Sequence, residues 1–304
     1  MEISELLKVR KKGENIGVVI PTFHEQTLLD AVKDNSRRRR DVFHPSEICR
    51  QDFCPREWVI HQKEPSLYEK RKVNVEQQLR FDIGTLLHTY IQERLGNSGV
   101  LFGVWECVRR CKDEKCFNVG FKPKKICKHE LWVYREPTVF DEDINVRGSV
   151  DGIIVPHKNK KYSLEFKSMK SESFSTLIEP VTQDKHQALW YLDILDRKGF
   201  YEWDEFFKDD ADELFPTARE IVEMPFSGSV VLYMNKNTQD LREFLVPIEE
   251  MPKKSMDLQK KVLKEALSHY QKKILPVRVI QCDSIDSRRA KRCNASKICF
   301  NQEG

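Results

Sequence analysis

Gly148-Ser149-Val150-Asp151-Gly152-Ile153-Ile154 and, after a polar break, Tyr162-Ser163-Leu164-Glu165-Phe166-Lys167 carry the most structural information in this chain. The second segment alternates, with Tyr162, Leu164 and Phe166 on one face of a strand and Glu165 and Lys167 on the other. An acid and an amine therefore share a side. Ile144–Val155 and Lys161–Ser168 read as strands joined by Pro156-His157-Lys158-Asn159-Lys160, a polar connection of hairpin length. A simple hairpin centred on Lys158 sets Asp151 opposite Glu165, with Cβ atoms roughly 5 Å apart, close enough to share one divalent cation.

These residue types belong together chemically. Carboxylate oxygens are hard ligands for Mg²⁺ or Mn²⁺, the cation polarises a phosphodiester and acidifies water, and a nearby ammonium orients that water or offsets developing charge. Asp151 and Glu165 are the expected ligands and Lys167 the water-positioning group. The ordinary alternative is a solvated Glu-x-Lys pair on an edge strand. Against it, Glu165 is the only glutamate in the chain followed two positions on by lysine, and its strand is otherwise apolar.

Outward from this hairpin, Leu79, Ile83, Leu86, Leu87, Tyr90, Ile91 and Leu95 recur as one face of a helix over Gln78–Leu95, which carries His88 and is stopped by Gly96. An earlier helix is expected over Pro45–Tyr68. Downstream come a helix over Phe174–Asp196, an acidic surface excursion over Trp203–Glu220, a strand over Ser229–Asn235 and an amphipathic helix over Lys254–Lys273. The expected organisation is an arm of strands and loop over 1–44, a helical segment over 45–103, a cysteine-rich insertion over 104–130, a core over 131–274 and a cysteine-bearing tail over 275–304.

The 304 residues, 39% hydrophobic and 33% charged, suit a folded chain with one sizeable core plus insertions. No apolar run approaches membrane-spanning length, so no membrane partner is expected. Met1-Glu2-Ile3-Ser4-Glu5 lacks the order of a secretory signal, which points to the cytoplasm. Net charge is only +4, yet the basic residues are clumped: Arg37–Arg40, then Lys122, Lys124, Lys125 and Lys128, then Arg288, Arg289, Lys291 and Arg292. Such clumps suit phosphate contacts or are solvated surface.

Nine cysteines without a secretory signal argue for metal ligation over disulfides. One set, Cys107, Cys111, Cys116 and Cys127 with His129 as an alternate fourth ligand, lies among lysines that can hardly form an apolar core, and reads as a Zn²⁺ site.

At this point the residues resemble a family. Gly148–Ile154 followed by Leu164-Glu165-Phe166-Lys167-Ser168 resembles the second and third motifs of the RecB-like branch of the PD-(D/E)XK nucleases. Gly84-Thr85-Leu86-Leu87-His88 resembles the branch's upstream motif, which implies that His88 is a metal ligand. Gln187-Ala188-Leu189-Trp190-Tyr191 is similar to its Gln-x-x-x-Tyr motif, which implies a structural and DNA-contacting role for Gln187 and Tyr191. The resemblance implies an α/β, restriction-endonuclease-like core, a mixed central sheet flanked by helices. It also implies a Mg²⁺- or Mn²⁺-dependent exonuclease acting on DNA ends or single strands, with a helicase or recombination partner.

Phe53-Cys54-Pro55-Arg56 and Cys293-Asn294-Ala295-Ser296-Lys297-Ile298-Cys299 resemble the iron–sulfur subset of that branch, which includes CRISPR-associated exonucleases and AddB-type nucleases. This implies a 4Fe-4S cluster on Cys54, Cys282, Cys293 and Cys299 that pins the tail to the front of the domain. The long spacer Asp283–Arg292 departs from the usual pattern and leaves Cys49 as a substitute ligand and zinc as another occupant. A non-catalytic, metal-containing DNA-binding module is the rival class.

Overall fold

The computed structural model of the protein describes residues 39–64, 75–108, 117–124, 132–157, 160–201 and 216–301. Its elements run α1 (Pro45–Ile48), α2 (Pro55–Lys63), α3 (Val75–Asn97), β1 (Leu101–Cys107), β2 (Phe117–Phe121), β3 (Trp132–Arg135), β4 (Thr138–Asp141), β5 (Val146–Ser149), β6 (Gly152–His157) and β7 (Lys160–Met169). They continue with α4 (Ser171–Ser175), α5 (Thr182–Lys198), α6 (Pro216–Glu223), β8 (Phe226–Asn235), β9 (Leu241–Pro247), α7 (Lys253–Gln271) and α8 (Ser296–Asn301).

Contacts divide the chain into two units, Met1–Arg39 with Lys70–Thr85 and Arg40–Glu69 with Leu86–Gly304. The described part of the first is mainly the leading half of α3, where Arg80 pairs with Glu76 and Gln78 donates to Asp82 at 2.8 Å. The sheet belongs to the second.

Among the described residues, that sheet has seven strands in the order β2-β1-β6-β7-β8-β9, with β3 also pairing β1; β4 and β5 form a separate ribbon. β7 and β8 run parallel and the other pairings are antiparallel, so the fold is α/β with a mixed sheet flanked by helices. Ser163, Leu164, Glu165 and Phe166 are consecutively buried, as a central strand covered on both faces requires. On one face Phe166 and Met234 pack with Ile91 of α3, flanked by Leu87, Leu95 and Leu232. Glu165 and Lys167 point the other way with their register partners Val231 and Tyr233, toward α5. Gln187 to Leu195 of α5 are all buried, a helix enclosed over more than two turns.

Several expectations are corrected. The strand expected over Ile144–Val155 is two: β5 pairs with β4 in the ribbon, β6 joins the main sheet, and Val150 at the junction donates its N–H to Pro137. The helix over Pro45–Tyr68 breaks between α1 and α2, because Cys54 precedes Pro55 and is driven to an extended conformation, φ −134° and ψ 111°. The helix over Phe174–Asp196 splits at a turn containing Pro180. Within 104–130, expected to stand apart, β1 and β2 belong to the central sheet, since Leu101, Phe102, Val104 and Trp105 are all buried. Gly96 does not stop α3; its missing side chain leaves room for the Trp105 ring. The buried stripe of α3 is narrower than its apolar face, for Ile83, Leu86 and Tyr90 are exposed. Strand β9 carried no signal clear enough to expect. No helix among the described residues is long and apolar enough to cross a membrane.

Candidate active site

Asp151 falls between β5 and β6, so its carboxylate is available to neighbours. Oδ2 accepts the Phe166 N–H at 2.7 Å, and Oδ1 lies 3.4 Å from His88 Nδ1. Away from the turn the hairpin keeps the expected pairing, Gly152 with Leu164, Ile153 with Ser163 and Ile154 with Tyr162. The register shifts between Ile154 and His157, which pairs with Lys160, so Pro156, His157 and Lys160, expected in the connection, belong to the strands. Asp151 thus enters the hairpin beside Glu165, but the two carboxylates do different things. Glu165 Oε1 is 2.6 Å from Lys167 Nζ, while Glu165 Oε2 is buried with no hydrogen-bond partner.

The acid that joins Asp151 and His88 is one the sequence did not single out. His88, Glu136 and Asp151 each offer a ligand atom, all within 4.8 Å of one another, the sole such histidine–acid–cysteine group among the described residues. Glu136 lies on the connection between β3 and β4, neither of which the pattern revealed, so nothing marked it beyond its being an acid before a proline. α3 contributes His88, whose ring stands edge-on to Phe166 with centroids 4.8 Å apart. One turn on, Gln92 donates to Glu136 Oε1 and to the Asp151 carbonyl, each at 2.9 Å.

α5 closes the other side. Gln187 Oε1 lies 3.4 Å from Lys167 Nζ. Tyr191 is buried, hydrogen-bonded to Gln187, and packs where a Cβ on Gly148 would lie 2.8 Å from its ring. That close approach explains the glycine opening Gly148-Ser149-Val150-Asp151 and joins two sequence motifs that are far apart in the chain. Asp184, in the first turn of α5, accepts the Tyr233 hydroxyl at 2.9 Å.

Burial pushes the Glu165 carboxyl up from its ordinary 4.5 to about 8, the Asp151 charge adds to this, and the Lys167 ammonium opposes it. Burial likewise raises Glu136, with Asp151 adding. For His88, burial disfavours the imidazolium, but the hydrogen bond and charge of Asp151, helped by Glu136, outweigh it and raise the pKa. Lys167 follows the same logic: burial opposes its charge, and Glu165, Asp151 and Asp184 more than restore it. A concentration of negative charge with a partly buried amine suits a cation and a phosphate oxygen.

The cysteines expected at the front and tail meet elsewhere. Cys54, Cys282, Cys293 and Cys299 line one cavity of about 320 Å³, its open mouth included, with Arg56, Glu57 and Arg289. Cys54 caps α2, and the tail lies against that helix: Arg56 donates from Nε to Cys299 Sγ at 3.1 Å, from Nη1 to Pro276 O at 2.7 Å and from Nη2 to Cys299 O at 3.0 Å. Burial raises the thiols of Cys54, Cys282 and Cys293, the last to about 12. Cys49, weighed as a substitute front ligand, lies instead in the main core near Glu165 and Lys167 and does not line the cavity. Arg289, counted among surface cations, is turned inward to Asp52 O and lies 3.7 Å from Glu57. Cys107 is buried at the end of β1, beside Trp132. Its expected zinc partners Cys111, Cys116, Cys127 and His129 lie outside the described residues.

No protein-family model and no curated protein matches the sequence. Among solved structures the chain is similar to one titled "Crystal structure of SSO0001", at 12% identity and a TM-score of 0.41, with 91% of this chain and 96% of that chain covered.

Proposed function

We propose that the chain is a divalent-metal-dependent deoxyribonuclease of the RecB-like branch of the PD-(D/E)XK superfamily, trimming DNA ends in replication, repair or recombination. One observation carries this assignment: His88, Asp151, Glu165, Lys167 and Gln187, drawn from separate segments, are neighbours around one carboxylate-rich site.

The donor set fits a hard cation. His88, Glu136 and Asp151 supply one nitrogen and two carboxylates; Glu165, the ligand expected opposite Asp151, lies outside that group of three and holds Lys167 Nζ at 2.6 Å. When bound, Mg²⁺ or Mn²⁺ supplies Lewis acidity to a phosphodiester and acidifies a water; the imidazole ligand favours Mn²⁺. The chain's own groups do the remaining work. Lys167 keeps its proton because Glu165, Asp151 and Asp184 surround it, so Nζ can hydrogen-bond the attacking water or a phosphate oxygen. Gln187 limits the directions in which that ammonium can point.

Four thiols around one cavity suit a soft metal group, and we assign them a 4Fe-4S cluster on Cys54, Cys282, Cys293 and Cys299. Anaerobically purified protein should then be brown and become colourless on Cys299→Ser; a colourless wild type containing zinc replaces the cluster with a zinc site. The nuclease assignment is tested with end-labelled single- and double-stranded DNA plus Mg²⁺ or Mn²⁺. Cleavage that disappears in Lys167→Ala while DNA binding persists supports it. A wild type that binds DNA and cuts none with any divalent ion makes the chain a binding module.

A further inference from the structure

We infer that Gln92 is the positioning residue of the cation site, the group that holds Glu136 as a ligand and locks α3 to Asp151. The inference rests on the cation site proposed above and concerns a side chain that itself touches neither cation nor DNA.

Gln92 is 7% exposed, and a buried primary amide must place both its N–H bonds. Here both go to the site: one to Glu136 Oε1 and one to the main-chain oxygen of Asp151, each at 2.9 Å. His88 stands one turn earlier on the same face of α3, so the helix grips Asp151 twice, through the carboxylate by His88 and through the backbone by Gln92. The three ligands are thereby tied into a single frame, although they come from a helix and two connections far apart in sequence.

Glutamine suits this position. Its amide donates to a carboxylate without bringing a positive charge that would compete with the cation, and it adds no negative charge of its own.

The test is Mn²⁺ titrated into chelator-treated full-length protein and followed by the electron paramagnetic resonance signal of the free ion. Gln92→Met keeps the length and removes the donors; Glu136→Gln removes the ligand. Each should weaken Mn²⁺ binding by about tenfold or more, the usual effect of losing a group that orients a ligand. The double variant should lose much less than the product of the two, because Gln92 acts through Glu136. If Gln92→Met unfolds, Gln92→Asn keeps the amide but falls a methylene short and should show the same loss. Wild-type affinity in the folded Gln92 variant, single losses that multiply, or a wild type that takes up no Mn²⁺ each overturn the assignment. The expected pattern of Mn²⁺ binding in a protein that leaves DNA uncut supports Gln92's role and refutes the nuclease.

Discussion

The acid site and the cysteine cavity are both candidate metal centres, but they are held together in opposite ways. Around Asp151 the ligands are already engaged with the protein: Asp151 with the Phe166 N–H, Glu165 with Lys167, Glu136 with Gln92. Glu165 lies within a paired strand, Asp151 and Glu136 lie on short connections between strands, and α5 on the Lys167 side is a buried helix. Three of the four cavity thiols, Cys282, Cys293 and Cys299, instead sit on a tail with little regular structure, docked onto the helix that Cys54 precedes through Arg56 and a small apolar cluster of Ile60, Ala295 and Cys299. A pre-built site should tolerate loss of its cation, whereas a site whose walls come from a short tail should depend on what it binds.

The sharpest way to break this contrast is to remove function without removing structure. Lys167→Ala and Asp151→Asn should each lower cleavage by roughly 100-fold or more, the scale of losing an electrostatic group at a phosphoryl transition state. Thermal melting and near-UV circular dichroism should stay close to wild type, and collapse of the fold in Lys167→Ala would erase the distinction.

The tail should behave in the reverse sense. Cys299→Ser should abolish the chromophore and expose the chain after Gln271 to limited proteolysis, with the amino-terminal fragment still folded. Arg56→Ala leaves the buried Pro276 and Cys299 carbonyls without that donor. It should cost about 2–4 kcal/mol, read as a lower denaturant midpoint. A tail that resists protease equally with and without its metal would show the two regions to be alike.

Gly148→Ala sharpens the comparison from within the acid site. The new Cβ would lie 2.8 Å from the Tyr191 ring and 3.1 Å from Pro45, so either β5 or α5 must shift. A destabilisation of about 1–3 kcal/mol is expected, partly rescued by shrinking Tyr191 to leucine. Failure of that rescue would mean that Pro45 is the limiting contact.

The last test turns on pH. Glu165 and His88 both have raised pKa values in the folded protein, so both contribute stability that is complete at low pH and lost as pH rises through the folded values. For Glu165 the window runs from 4.5 to about 8. Metal-free protein should therefore lose stability across that range, Glu165→Gln should flatten the decline, and Mn²⁺ should counter it at the alkaline end by neutralising the carboxylates. A wild-type profile that rises from mildly acid to alkaline pH would contradict this.

Alternation in Tyr162–Lys167 by itself determined a strand with Glu165 and Lys167 on one side, because that depends on period alone, whereas the register shift between Ile154 and His157 was not legible in the connection. The cysteine types and the helical run carrying His88 were equally local signals. Only the tertiary structure decided that Asp151 stands between two sheets, that Glu136 and Gln92 join His88 there, that Cys49 belongs to the core, and that the segment from Leu101 supplies strands of the main sheet. Those facts are contacts between residues tens of positions apart. A lone acid, amide or thiol carries no periodicity, and its partners become physical only when distant elements pack against it.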